Sequence, residues 1–134
     1  MTKFERINEI CKELLPSIEA QALHGKLSYE VDIDRYPMEL ENFGFQIEFV
    51  SKYRCAICWD SCSPIQSLAH EMFLLRNSIV EIKRCIHESL RKNKYVFSTS
   101  SNICDPRIKK KLKEDGYPNF SQGTNPHEYL IDRE

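Results

Sequence analysis

The chain has 134 residues, 41% hydrophobic and 29% charged, with a formal net charge of −1. This composition excludes a disordered polyelectrolyte, and no run approaches the roughly twenty apolar residues of a membrane-spanning helix. At this length the expectation is one domain, over 1–134, with its own core and with residues 117–134 as a loosely packed tail.

Charge arrives at once, with Lys3, Glu5 and Arg6, so no apolar leader core can be drawn. The expectation is a cytoplasmic protein without membrane association, whose six cysteines are reduced rather than paired in a disulfide framework. Cys11 and Cys85 agree with this, since each falls on the apolar stripe of a predicted helix, where a thiol packs as a small hydrophobe.

Thr2 followed by Glu5 has capping-box spacing, and Phe4, Ile7, Cys11, Leu14 and Ile18 recur at helical intervals behind it. Pro16 either kinks this helix or opens a second short one, and Gly25 ends it. From Leu27 to Asp34 apolar and polar residues alternate strictly, the period of a half-buried strand. Residues 35–44 read as a loop with one helical turn after Pro37, and two β-leaning runs, Phe45 to Phe49 and Tyr53 to Trp59, suggest a hairpin. Ser63, Pro64 and Gln66 then cap one long helix, Pro64 to about Arg91, whose seam is Ile65, Leu68, Met72, Leu75, Ile79, Ile82 and Ile86. Tyr95 to Phe97 is a short strand, Asp105 and Pro106 start a third helix that Gly116 stops, and Asn125, Pro126 and Glu128 suggest the cap of a last short helix. The fold class is α+β: a mainly antiparallel sheet of about three or four strands, packed on one face by the N-terminal helix and the long central helix.

Few residues form a chemical motif. Cys55, Cys58 and Cys62, with His70 as a fourth ligand, have a spacing that could hold zinc, but no Gly or Pro turns the chain between Cys55 and Cys58, and in a strand those two face opposite ways. Cys62, just before a helix cap, is the best placed nucleophilic thiol, though no third group orients it. The four glycines are isolated, so neither a phosphate loop nor a dinucleotide fingerprint can be written, and no cofactor or catalytic residue is assigned.

Charge distribution carries more. Residues 1–60 hold seven Lys/Arg against eleven Asp/Glu, whereas residues 83–113 hold ten Lys/Arg against two acids. The basic set is Arg76, Lys83, His87 and Arg91, at helical steps along one stripe, then Lys92 and Lys94, then Arg107, Lys109, Lys110, Lys111 and Lys113 around the third helix. The acidic set is Glu30, Asp32 and Asp34 on one strand face, with Glu39 and Glu41.

The leading expectation is a non-enzymatic interaction protein of the inhibitor, immunity or adaptor kind, which occludes a protein partner through charged surfaces. A nucleic-acid-binding module using residues 83–113 stands second, and a thiol-dependent or zinc protein around Cys55, Cys58 and Cys62 third. The long helix, with Phe73 or Leu74 outside its seam, offers a homodimer contact.

Overall fold

The computed structural model describes residues 2–35, 38–60, 67–101 and 103–132, without the side chains of residues 3, 4, 6–8, 10 and 11. The α+β class holds, but the strands divide between two three-stranded antiparallel sheets where the sequence suggested one. The chain forms two compact units, 1–76 and 77–134.

In the first unit, α1 (Lys3–Leu23) opens on the expected capping box, with Thr2 and Glu5 exchanging two bonds of 3.2 Å. The helix runs through Pro16 instead of breaking there. Pro16 withholds one amide from the ladder, and beside that gap the Ser17 hydroxyl donates to the Glu13 carbonyl. The alternating run folds as β1 (Ser28–Asp32), ending two residues early because Ile33–Arg35 winds into a 3-10 turn. A second 3-10 turn, Met38–Phe43, buries Leu40 and leads into β2 (Gln46–Phe49) and β3 (Arg54–Cys58).

The order is β1-β3-β2, so β3 is the central strand. It is buried on both faces, Cys55 and Ile57 on one and Ala56 and Cys58 on the other. α1 packs against β1 and buries Leu14, Ile18 and Ala22. Trp59 is fully buried, its ring edge-on to Phe45, and its indole N–H donates to the Lys26 carbonyl at 3.0 Å. Gly44, at φ +92°, sits where a Cβ would lie 2.7 Å from Ser67 Cβ, so both conformation and space require glycine.

α2 (Leu68–Arg91) has residues in both units. The expected start at Pro64 and the seam residue Ile65 lie outside the described residues; Met72, Leu75, Ile79, Ile82 and Ile86 are buried as the seam requires, while Leu68 is half-buried and Ala69 beside it is buried instead. Its end is set by Asn93 at φ +56°, a left-handed residue just past the last turn.

In the second unit, β4 (Val96–Ser98) is followed by α3 (Pro106–Glu114), with Asp105 at its N-cap, Pro106 in its first turn and Gly116 at φ +82° beyond its end. The expected final helix is instead a hairpin, β5 (Phe120–Gln122) and β6 (Glu128–Ile131), with β6 central in the order β4-β6-β5. Residues 117–134 are therefore not a loose tail where described: Phe97, Phe120 and Tyr129 cluster with centroids 5.7–6.2 Å apart, and Ile131 is buried. Asn125 and Pro126 serve a turn, not a helix cap, because the Gln122 side-chain amide donates back to the carbonyls of Asn125 and Pro126.

Ile57 and Phe49 share one face of the first sheet, yet Ile57 is 0% exposed and Phe49 is 73% exposed. Ile57→Ala should destabilise the protein by about 2–5 kcal/mol, and Phe49→Ser by less than about 0.5 kcal/mol. Urea unfolding followed by Trp59 fluorescence checks both.

Candidate functional site

The lysines of α3 fall into two groups, and Asp115 decides which lysine belongs to which. Ile108 and Leu112, four residues apart, are buried and fix the helix's inward side. Lys111, next to that side, has a side chain only 13% exposed and lies 3.1 Å from Asp115 Oδ1, while Lys83 of α2 lies 2.7 Å from Oδ2. Asp115 is the C-cap of α3, where the helix dipole disfavours a carboxylate, so the two ammonium groups offset an otherwise costly placement. They hold its carboxyl below the usual aspartate range, the Lys83 hydrogen bond being the larger cause.

The network continues outward from Lys83. Its ammonium sits 5.4 Å from the centroid of the Tyr117 ring, and the Tyr117 hydroxyl is 2.6 Å from His87 Nε2. Burial pushes the Tyr117 phenol up, with Asp115 adding to the shift. Lys83 and His87, predicted as an outward-facing stripe, are thus engaged within the second unit. Arg76, from the same stripe, donates to the Gly25 carbonyl in the first unit at 3.0 Å. Arg107 folds back on its own helix cap, 2.9 Å from Asp105, and holds that carboxyl below its ordinary value.

Six members of the basic set keep their charge outward. Arg91, Lys92 and Lys94 follow one another at and beyond the end of α2 and are exposed, but Lys92 and Lys94 line a groove that also holds Glu88 and Glu128. Lys109, Lys110 and Lys113 are exposed on α3 and have no ion pair among the described residues. At 100° per residue these three occupy one arc of about 100°, with Glu114 at its margin. Beside them an open cleft of about 440 Å³ is lined by Lys109, Lys110, Lys113, Tyr117, Pro118 and Phe120. Cationic and apolar surface meet there, and this cleft is the candidate site. The sequence places Tyr117 beside the lysines but gives no sign of Phe120 there, because the residues from 117 onward read as a loose tail rather than a strand.

The acidic set does not form one face. Glu30 and Asp32 share a face of β1, but Arg54 reaches both, at 3.7 and 3.2 Å. Asp34 has left the strand for the 3-10 turn, and Glu39 and Glu41 lie on the next one. Register adds an acid the sequence did not single out: Glu48 of β2 and Glu30 of β1 both pair with Ala56.

The cysteine motif is not assembled among the described residues. Cys55 and Cys58 are buried on opposite faces of β3, and burial pushes both thiols up, away from the reactive thiolate. His70 stacks on Phe73 with centroids 6.3 Å apart. No cluster of three or more His, Cys, Asp or Glu suited to a metal ion occurs among the described residues, and Cys62 lies outside them. Cys55, Cys58, Cys85 and Cys104 are free thiols. No helix among the described residues is long and apolar enough to cross a membrane. Comparison with protein-family models, curated proteins and solved structures gave no match to this chain.

Because folding lowers the Asp115 pKa, its contribution is complete above the unfolded value of about 4 and fades as pH falls through the folded value. Asp115→Asn should cost about 1 kcal/mol at pH 7, the upper range for partly exposed pairs, and the gap from the parent should be smaller in acid, below the unfolded value of about 4. Urea midpoints at the two pH values measure it. A gap that persists undiminished in acid would show that the carboxylate charge is not what binds α3 to α2.

Proposed function

We propose that this chain is a non-enzymatic binding module of the inhibitor, immunity or adaptor kind, which docks an acidic surface of a protein partner on the α3 lysines. The observation that carries this reading is the arc of Lys109, Lys110 and Lys113, unpaired among the described residues, beside a cleft with apolar walls. Charges of one sign held on a rigid element speed encounter with an opposite surface and reject like-charged ones, while the apolar wall supplies contact area to retain the partner. Lys111 and Lys83 contribute by fixing the helix that displays the other three. The raised thiols of Cys55 and Cys58 weigh against thiol chemistry at the first unit's motif.

Nucleic acid is the second reading, supported by the same cations. Against it, the Tyr117 ring already has Lys83 near its face, and Phe120 is committed to the aromatic cluster, so neither is a free platform for base stacking. Self-association through α2 is a separate proposal resting on Leu74, which is 51% exposed. A monomer at high concentration in sedimentation would discard it.

The triple variant Lys109→Glu, Lys110→Glu, Lys113→Glu should keep its thermal midpoint within a few degrees, because all three side chains are on the surface. In a pull-down from native extract scored for protein and nucleic acid, it should lose the protein that the parent retains. Equal capture by parent and variant would remove the α3 face from the function. Retention of nucleic acid by the parent, with a salt dependence shallower by roughly one unit per lysine removed, would establish the second reading instead.

A further inference from the structure

We propose that the cleft accepts one kind of occupant, an extended acidic segment of the partner that adds to the open edge of β5 as a fourth strand of the second sheet. This rests on reading the α3 lysines as a docking surface and names what docks there.

The order β4-β6-β5 leaves β5 at an edge. Its bonding parity can be read from the two bonds that bracket it, Asp132 N–H to the Asn119 carbonyl and Gly123 N–H to the Glu128 carbonyl, both 2.8 Å. Antiparallel ladders alternate, so Asn119, Ser121 and Gly123 turn their backbone groups to β6. Phe120 and Gln122 then turn theirs to the open side, and no bond from another described element meets them. Strand edges in this condition pair readily with extended peptide, and proteins usually blunt them with charge, proline or a cover. Phe120–Gln122 contains no charge and no proline, and the Phe120 ring, packed against Phe97 and Tyr129, holds the edge in place.

What flanks the edge sets the partner's chemistry. Phe120 and the three α3 lysines line the same cleft, so a strand laid along β5 passes through their field. A basic segment is repelled and a neutral one gains only backbone bonds, whereas an acidic one gains both. Spacing agrees: carboxylates two residues apart on a strand are separated by about 7 Å, close to the rise of about 6 Å between Lys109 and Lys113. The preferred segment alternates acidic with apolar residues, placing acids toward α3.

The probe is a fluorescein-labelled heptapeptide of alternating Glu and Val, titrated with the full chain at low and moderate salt and read by anisotropy. Binding should be saturable and weaken with salt, and a Lys–Val counterpart should not bind. Two N-methylated versions, one at the Glu amides and one at the Val amides, test edge pairing, since only alternate amides of a strand face its neighbour. One version should lose about tenfold or more while the other stays within about threefold. Equal tolerance of both, with the parent peptide bound, overturns strand addition and leaves the lysine face standing. Failure of the heptapeptide to bind, while the triple glutamate variant still abolishes partner capture, overturns the acidic-strand occupant alone. Tighter binding of an oligothymidine than of the peptide overturns it in favour of nucleic acid. If the peptide fails and the triple variant captures its partner normally, both readings fall together.

Discussion

The surface of the second unit is organised by one carboxylate. Asp115 sits where a helix ends and where the dipole would exclude it, and it persists because Lys83 and Lys111 approach it from two sides. That pairing removes two cations from the surface and ties α3 to α2, and so determines which lysines are left over. Lys109, Lys110 and Lys113 remain outward because Ile108, Leu112 and Lys111 have taken the other side of a nine-residue helix. A helix this short has little intrinsic stability, so its display of charge depends on those three attachments.

The same logic separates charge that builds the molecule from charge that can recognise something else. Arg76, Lys83, Arg107 and Lys111 are each within hydrogen-bonding reach of a carboxylate or carbonyl, and on β1 the acids Glu30 and Asp32 are partly neutralised by Arg54. A partner binding at such places must first displace an internal partner, which costs about what the internal pair contributes. At the α3 face no ion pair among the described residues has to be displaced, so surface attraction acts directly on encounter. Net charge conceals this: at −1 the chain is nearly neutral, yet Lys109, Lys110 and Lys113 stand together on one arc of α3 with no ion pair among the described residues.

Most of the fold was legible because local rules and tertiary packing agreed. The Thr2 box, the seam from Met72 to Ile86 and the Asp105, Pro106 and Gly116 punctuation all stand where their spacing placed them. Misreadings came where two rules compete at short range. Asn125, Pro126 and Glu128 satisfy a helix cap as well as a hairpin turn, and what decides is the burial of Ile131 and of Tyr129, the latter against Phe97, a contact invisible in the local sequence. Pro16 likewise left open a kink or a second short helix, and the chain takes one continuous helix that buries Leu14 and Ile18 on either side of the proline. Of the candidate site, the lysines could be read from composition. Which of them were already spent on Asp115 could not, because Lys83 and Asp115 are 32 residues apart.

The misread hairpin also hid the backbone half of the site. A chain that ended in a short helix would satisfy its own amides, and the lysines beside it would be an unstructured cation patch to which any polyanion adheres. As a three-stranded sheet with β5 outermost, the same residues set two directed donors and two directed acceptors next to that patch. Charge alone selects by sign and falls away with salt, but a strand edge selects by backbone direction and register, which salt does not screen. Under the proposed docking, the combination would let so small a positive surface discriminate an extended acidic segment from other anions, and the edge exists because 120–122 and 128–131 fold as strands.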